Sequence, residues 1–281
     1  MESIVCNLCQ GKTVARRLTT TDRVTGRQFD IVQCVHCGLR YTSPQPAPDE
    51  MATYYPGPAR LSGPARVLRR RLRERRARWC AAGLSPGRAL EIGCGDGWML
   101  DALRRMGWVV AGTERSQRSA ASPRRLGLDV LVEGMAGGAF AARSFDLVIL
   151  WHVLEHLHDP LGTLIEVNRI VRPGGRLIVA VPNIESWQAR VAGRRWFHLE
   201  APRHLYHFAP QTLDAMLERA GFQVTRWSFW QMAYELRGWW ELYASGAQGL
   251  AILATLLMFP IFAVASRNRS TAAMAVQASP V

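Results

Sequence analysis

Five residues in the middle of the sequence combine backbone freedom with negative charge. Glu91 precedes Gly93, Gly95 and Gly97, and Glu114 closes the next predicted strand. Glycine tolerates positive φ and lets a ligand lie against bare backbone, so the spacing predicts a ligand-binding turn. An acid at position 91 repels a pyrophosphate and favours a cationic amino-acid moiety, and Glu114 can accept hydrogen bonds from two ribose hydroxyls. These residues favour S-adenosylmethionine (SAM), which carries an ammonium, a sulfonium and a ribose but no phosphate.

Four cysteines near the start of the sequence form a second group with chemistry. The pairs Cys6/Cys9 and Cys34/Cys37 have the CxxC spacing of a zinc ribbon, in which four thiolates complete a tetrahedral site. A redox pair or a disulfide framework is the alternative, and a cytosolic chain disfavours the disulfides. Four sulfur ligands leave no open position for chemistry, so we predict a structural Zn²⁺ site.

The elements around the glycine turn alternate between apolar strands and helices. The turn follows an apolar strand and precedes a helix that begins at Trp98. Further strands are predicted at 108–113, 126–132, 145–150 and 176–181, and a helix at 160–171. This alternation predicts a doubly wound α/β sheet with ligands at the carboxyl ends of its strands.

Taken together, these motifs resemble the class I SAM-dependent methyltransferases. The resemblance covers residues 87–230. It rests on the glycine turn at 91–97, Glu114, the strand at 144–150, the His152-Val153-Leu154-Glu155-His156-Leu157 segment and the Arg172-Pro173-Gly174-Gly175 segment. It implies a Rossmann-like sheet, SAM as cofactor and a methyltransferase activity.

The resemblance also implies which residues contact the cofactor. Family members often place an aspartate after the glycine that follows the third strand, where it accepts from the adenine amino group. This sequence has Met135 there, so we expect backbone and apolar contacts from Met135 and Ala136 instead. The expected cofactor contacts are Glu91, Gly93, Cys94, Gly95, Gly97, Glu114, Met135, Ala136 and Trp151.

Two histidines are the predicted catalytic bases. Methyl transfer to a hydroxyl or an acidic carbon needs a proton removed, and a histidine titrates near neutrality. His152 follows the central strand, and residues 204–208 are similar to the segment with the catalytic histidine, here His204, in sugar C-methyltransferases. That family has a glutamate where this sequence has Arg203. Glu155 and His156 come early in the helix that follows the central strand, where either a structural or a catalytic role is open. No flanking carboxylate pattern supports a metal ion at the histidines of residues 198–207.

The sequence is strongly basic, with 35 Lys and Arg against 22 Asp and Glu and a formal net charge of +13. Residues 66–79 hold a dense run of arginines beside a thin apolar stripe, which predicts a helix. Three interpretations stay open for it: a solvated helix that covers the sheet and caps the SAM pocket, a basic amphipathic helix on an anionic membrane, and a contact with nucleic acid.

Beyond residue 230 the sequence becomes aromatic and then apolar. No charged residue lies between Glu241 and Arg267, a length that could cross a hydrocarbon core about 30 Å thick. Glycines and Pro260 weaken such a span, and a pair of buried helices is the alternative. No seventh strand is evident, and residues 271–281 are predicted to be disordered.

The predicted organisation has five parts. They are a zinc-ribbon-like domain at 1–45, a linker with the arginine-rich helix at 46–86, a SAM-binding core at 87–230, an aromatic and apolar membrane-associating or lid segment at 231–270, and a disordered tail at 271–281. The fold class is α/β: a doubly wound Rossmann-like methyltransferase sheet with a small N-terminal zinc ribbon and a hydrophobic C-terminal helical tail.

The leading hypothesis is methyl transfer to a sugar, a lipid-linked saccharide or a polyprenylated aromatic acceptor at the membrane surface. The cysteine pattern followed by Pro44, Pro46 and Tyr54-Tyr55 resembles methyltransferases from bacterial polysaccharide and sugar-modification gene clusters. The alternatives are an RNA methyltransferase that uses the zinc ribbon and the basic surface, and a non-catalytic adapter with a SAM fold. The Asn-Pro-Pro-aromatic motif of base methylation is missing, so we expect a small-molecule or lipid-linked substrate rather than nucleic acid. No secretory signal opens the sequence, and we expect a cytoplasmic protein at the inner face of the cell membrane.

Overall fold

A seven-stranded sheet lies at the centre of the computed structural model, which describes residues 5–55, 63–132, 138–229, 232–243 and 259–281. The strands are β1 (Val14–Thr21), β2 (Gln28–Cys34), β3 (Arg40–Ser43), β4 (Arg88–Ile92), β5 (Val109–Thr113), β6 (Val130–Leu131), β7 (Phe145–Trp151), β8 (Val171–Pro182), β9 (Tyr206–His207), β10 (Phe222–Ser228) and β11 (Ala273–Pro280). The helices are α1 (Gly63–Ala81), α2 (Trp98–Arg105), α3 (Gln117–Arg125), α4 (Pro160–Ile170), α5 (Trp187–Ala192), α6 (Pro210–Arg219), α7 (Met232–Tyr243) and α8 (Phe259–Arg267).

The central sheet has the order β10-β11-β8-β7-β4-β5-β6, and β4 to β8 pair in parallel. Both faces are covered, which explains the continuous apolar runs of these strands. Because side chains alternate along a strand, Ala89 and Leu147 pack with α1 and α2, whereas Leu90 and Val148 pack with α4 and α6 on the other face. The predicted doubly wound α/β architecture is confirmed, although the third strand is limited to β6.

The expected disorder of residues 271–281 is wrong. Those residues include β11, which lies between β8 and β10 and pairs antiparallel with both. Six consecutive residues of this strand, from Ala273 to Ala278, are buried. Their small side chains (Ala273, Ala275, Ala278) look like low-complexity sequence, but they fit against a sheet that is closely covered on both faces. The seventh strand that the sequence did not reveal is this one.

A second sheet joins the cysteine-containing N-terminal segment to the core. Its order is β1-β2-β3-β9, and all neighbouring strands are antiparallel. β9 belongs to the predicted core at 87–230 rather than to residues 1–45. Tyr41 pairs with Tyr206 in this sheet, and Asn7 donates to Asp159 at 2.9 Å. The predicted boundary at 45 therefore follows the last of the three N-terminal strands. It does not separate two independent domains, because the sheet continues into β9.

The aromatic and apolar segment predicted at 231–270 is described only in part. Residues 244–258, which contain most of the uncharged run, lie outside the described residues. Helices α7 and α8 flank them, and among the described residues no helix has the length and apolar character needed to cross a membrane.

Candidate active site

The predicted glycine turn connects the end of β4 to the start of α2. Gly93, Gly95 and Gly97 have φ values of +68°, +54° and +73°, in the region that a Cβ disfavours. A Cβ on Gly93 would lie 2.5 Å from Val153, and one on Gly97 would lie 2.5 Å from Pro123. A Cβ on Gly95 would meet nothing within 4 Å. The outer two glycines therefore permit close packing, and the middle one leaves bare backbone against which a ligand can lie.

The two predicted cofactor acids lie on either side of this turn. Glu114 accepts from the backbone N–H groups of Gly95 at 3.0 Å and Ser116 at 3.1 Å, so it also fixes the turn. Glu91 is 2% exposed, and its Oε2 has no hydrogen-bond partner among the described residues. Burial raises the pKa of Glu91 to about 8. A buried carboxylate oxygen without a partner is costly, so this position fits a cationic ligand group.

The arginine-rich helix α1 lies over the glycine turn. Arg69 Nε is 3.2 Å and Arg73 Nε 4.0 Å from the Asp96 carboxylate, and Arg76 stacks on Trp151 at 4.9 Å from the ring centre. The helix also packs against α2. This placement agrees with the interpretation that α1 covers the sheet and caps the pocket.

His152, at the carboxyl end of β7, has an unusual conformation and an unusual partner. Its φ is +55°, and its Nδ1 is 3.2 Å from Glu155 Oε1. Its Nε2 is buried with no partner among the described residues. Burial holds the pKa of His152 well below its usual value and raises the pKa of Glu155 to about 7. A neutral imidazole that donates from Nδ1 to Glu155 keeps its lone pair on Nε2.

Helix α7 presses a tyrosine onto this histidine. The Tyr234 ring stacks on the His152 ring with a centroid distance of 4.0 Å. The next residue, Glu235, anchors the helix, because it accepts from the backbone N–H of Ala272 and from Gln188 Nε2. The segment expected to form a lid thus supplies one wall of the site.

His204 lies near Glu155 and His156 and has partners different from those of His152. Its Nδ1 is 2.8 Å from the His198 carbonyl oxygen, and its Nε2 is 3.4 Å from Glu200 Oε2. Burial holds the pKa of His204 well below its usual value. The N-terminal unit fixes this segment, since Thr42 donates to the His204 carbonyl oxygen at 2.7 Å.

Glu155 contacts one predicted base, His152, and lies near the other, His204. Ligand atoms of Glu155, His156 and His204 lie within 4.8 Å of one another, a spacing that one metal ion could span. The sequence shows no carboxylate pattern beside His204, and the carboxylate in this group comes from a distant segment of the chain. Sequence reasoning missed Tyr234, which had no signal of its own. Glu200 stood out in the aromatic stretch at 196–208, and Arg76 in the arginine run, but neither had an assigned role.

Four other residues are predicted cofactor contacts: Cys94, Trp151, Met135 and Ala136. Cys94 is buried behind the glycine turn, and Trp151 is buried with its Nε1 unpartnered among the described residues. Met135 and Ala136 lie outside the described residues, so their role stays a prediction.

The four predicted metal ligands come together. The Sγ atoms of Cys6, Cys9, Cys34 and Cys37 lie within 4.8 Å of one another, and none forms a disulfide. Gly11 closes the site, because a Cβ there would lie 3.2 Å from the sulfurs of Cys9 and Cys34. Four thiols in this arrangement have the donor set and spacing of a tetrahedral Zn²⁺ site.

The sheet order, the glycine turn and the paired acids define the class of protein, a Rossmann-like SAM-dependent methyltransferase. Residues 65–226 match a family described as a methyltransferase domain, and the chain belongs to that family.

Similar proteins agree with this class. The chain is 31% identical over 150 residues to a ubiquinone biosynthesis O-methyltransferase of Sinorhizobium fredii, covering 49% of this chain and 60% of the relative. The relative of that name in Thiobacillus denitrificans is 28% identical over 164 residues, covering 53% and 71%. The chain thus spans about 60% of the first of these relatives.

Solved structures share the fold. A SAM-dependent methyltransferase of Archaeoglobus fulgidus has a TM-score of 0.54 at 19% identity, covering 75% of this chain and 94% of that one. Geranyl diphosphate C-methyltransferase of Streptomyces coelicolor, solved with Mg²⁺, geranyl diphosphate and S-adenosyl-L-homocysteine, has a TM-score of 0.52 at 18% identity, covering 75% and 78%.

Proposed function

We propose that the protein transfers a methyl group from SAM to a hydroxyl oxygen of a small-molecule or lipid-linked acceptor. The acceptor candidates are a sugar, a lipid-linked saccharide and a polyprenylated aromatic. The names of the similar O-methyltransferases favour oxygen as the acceptor atom. The observation that carries the proposal is Oε2 of Glu91, buried beside the glycine turn without a partner among the described residues. Glu91 lies on β4, next to β7, and His152 directly follows β7.

The residues present fit the cofactor. Glu91 would hold the ammonium, Glu114 the ribose hydroxyls, and the bare backbone at Gly95 would lie against the nucleoside. Arg73, whose charge lowers the pKa of Glu91 against the larger effect of burial, would attract the cofactor carboxylate. Bound SAM supplies an electrophilic methyl group on a sulfonium.

His152 is the general base in this proposal. Its Nδ1–H donates to Glu155, so the ring is oriented and its Nε2 lone pair can take the proton of the acceptor hydroxyl. His204 is the second candidate, but its Nε2 already faces Glu200. His152 Nε2 is neutral and has no partner among the described residues, and it lies at the carboxyl end of the central strand. It is therefore the better candidate for the base.

We also propose a structural Zn²⁺ ion in the cluster of Cys6, Cys9, Cys34 and Cys37. The close sulfurs and the glycine beside them support it. Elemental analysis of the purified protein should find about one zinc per chain. Replacing Cys34 and Cys37 with serine should remove it, and a metal-free parent would refute the assignment.

Radiolabelled methyl transfer tests the main function. The full chain is incubated with methyl-labelled SAM and, separately, a polyprenylated dihydroxybenzene, a nucleotide-linked sugar and a polyprenyl-linked saccharide. Label should enter one of these acceptors as an ether methyl group. A protein that binds SAM by calorimetry but labels none of them would contradict the proposal and favour a non-catalytic adapter.

A further inference from the structure

A cavity of about 430 Å³ lies between the N-terminal sheet and the core, away from the glycine turn. The end of β1 forms one wall, the segment from Arg194 to Arg203 the other, and Glu241 of α7 closes an edge. None of the residues at the glycine turn lines it, so it is distinct from the candidate cofactor site. Its volume is in the range that encloses a small molecule.

The cavity reaches the reactive cluster through one residue. Glu200 lines the cavity and also approaches His204, with 3.4 Å between Glu200 Oε2 and His204 Nε2. His204 in turn contacts the ring of His156, which follows Glu155 in the chain. A ligand in the cavity would therefore lie one side chain away from the histidines.

The charges on the cavity wall favour an anion. Four arginines line it, Arg23, Arg194, Arg195 and Arg203, against three acids. Arg194 and Arg195 have no acidic side chain within 4 Å among the described residues. The side chain of Arg203 is 13% exposed, and its Nε is buried without a partner in the described part of the chain. A guanidinium with unused donors matches the geometry of a phosphate group.

The remaining lining adds surfaces that suit a hydroxylated organic ligand. Asp22, Glu200 and Glu241 offer carboxylates that can accept from hydroxyls, and Trp196 and Phe197 add aromatic surface. Arg23 and Arg237 flank the Phe197 ring at 5.5 Å and 4.6 Å from its centre. Acids interspersed among the arginines disfavour a uniform polyanion such as RNA, because its phosphates would meet them.

From this arrangement we infer that the cavity binds the phosphate or diphosphate group of the acceptor. The inference rests on the proposed function and narrows its acceptor class to molecules that carry a phosphate, such as a nucleotide-linked or polyprenyl-linked saccharide. The diphosphate would be held by the arginines, and the hydroxylated part would extend past Glu200 toward the histidines.

Calorimetry with inorganic pyrophosphate tests the site on the full chain. The R194A/R195A double variant should bind pyrophosphate at least about tenfold more weakly than the parent, since charged hydrogen bonds are lost. Arg203→Gln should also weaken binding. The matched control is R75A/R78A, which removes equal charge from exposed positions of α1 and should bind within about twofold of the parent. No pyrophosphate binding by the parent, or equal loss in both double variants, would overturn the inference.

Two further measurements separate the remaining outcomes. SAM binding should be unchanged in R194A/R195A, which distinguishes a lost site from a misfolded protein. A parent that binds pyrophosphate but not SAM would refute the proposed function and leave the anion site standing. Competition with UDP and with farnesyl diphosphate then identifies which molecule carries the diphosphate. Stronger displacement of pyrophosphate by UDP indicates a nucleotide-linked acceptor, and stronger displacement by farnesyl diphosphate indicates a lipid-linked one. Equal displacement indicates that the cavity recognises the diphosphate alone.

Discussion

His152 keeps a left-handed backbone conformation, which a residue with a Cβ adopts only when its surroundings enforce it. Here the surroundings are the Glu155 carboxylate on Nδ1 and the Tyr234 ring on one face. Strain of this kind is concentrated at functional sites. The backbone conformation of His152 therefore supports a functional role more strongly than its residue type does. The residue type was visible in the sequence, and the conformation was not.

The first prediction concerns the base. His152→Ala should lower kcat by about two to four orders of magnitude, because the acceptor proton loses its base, and should leave the Kd of SAM unchanged. Steady-state kinetics and calorimetry measure the two effects. His158→Ala is the control, since the His158 ring hydrogen-bonds to the Pro46 carbonyl oxygen, 2.9 Å from its Nε2. A larger loss of kcat in His204→Ala would transfer the role to His204.

The second prediction concerns Glu91, whose pKa burial raises to about 8. At pH 7 this carboxyl is mostly protonated without a ligand, and an ammonium beside it favours the carboxylate. Binding of SAM at pH 7 should therefore release a proton, and binding should strengthen as the pH rises from about 5 to 7, below the range in which an α-ammonium loses its own proton. Calorimetry in buffers of different ionisation enthalpy detects the release.

Glu91→Gln should bind SAM more weakly and release no proton from this site. Glu166→Gln is the matched control, because Glu166 pairs with Arg169 away from the turn, and it should release protons as the parent does. If the parent and Glu91→Gln release equal numbers of protons, Glu91 does not hold the ammonium.

Among the elements, the pairing of β3 with β9 couples the cysteine cluster to the acceptor side of the site. β9 begins two residues after His204, and Thr42, on β3, bonds to the His204 carbonyl oxygen. The Cys34 end of β2 lies one strand away. A local change at the cysteines can therefore reach the histidine through one short pairing.

The third prediction follows from this coupling. Removal of Zn²⁺ with a chelator should increase amide hydrogen exchange at residues 204–208 and reduce acceptor turnover, because β3 loses its support. SAM affinity should stay within about twofold, because in the described part of the chain no hydrogen bond joins the glycine turn to this sheet. A chelator preloaded with Zn²⁺ serves as control. Unchanged protection at 204–208 after metal loss would show that the cluster does not support the segment.

The fourth prediction concerns β11. Ala275 is fully buried between two strands, so Ala275→Asp places an unpaired charge in the core and should lower the free energy of unfolding by about 3 kcal/mol or more. Val281→Asp is the control, since Val281 is 95% exposed. Urea denaturation measures both. Equal stability of the two variants would mean that β11 does not contribute to the core.

For the whole molecule, how much could be predicted depended on how local each feature is. The glycine turn and strand β7 could be predicted because their signals lie within a few consecutive residues. Strand β11 could not, because its partners β8 and β10 lie far earlier in the chain and its apolar run consists mostly of alanine, which is a weak strand former. The approach of Glu155 to His204 was hidden for the same reason: it arises where separate segments meet.

The fifth prediction also belongs to this scale. Burial raises the pKa of Glu91 to about 8 and the pKa values of Glu155 and Glu235 to about 7. Each folded pKa is above its unfolded value, so the stability present at low pH is lost as the pH rises through 7 to 8. The lowered pKa values of His152 and His204 act in the opposite direction up to the unfolded histidine pKa of about 6.5. Above that range the carboxyl groups dominate. Without ligand, the free energy of unfolding should therefore fall by about 2 kcal/mol between pH 7 and 9.

Urea denaturation across this pH range tests the trend. Glu235→Gln should flatten part of the slope, because an amide in that position does not ionise. Glu50→Gln is the control at an exposed position and should keep the slope of the parent. A free energy of unfolding that rises from pH 7 to pH 9 would contradict the burial of these carboxyl groups.

The position of β11 also sets an order of assembly. Among the described strands, β10 pairs with β11 alone. It can therefore join the sheet only after β11, which is made later, has been inserted beside β8. During synthesis, the backbone groups on the β11 side of β8 stay unpaired, and β10 has no strand to pair with, until β11 has been made. A chaperone that shields the β8 edge at that stage would raise the yield of folded protein.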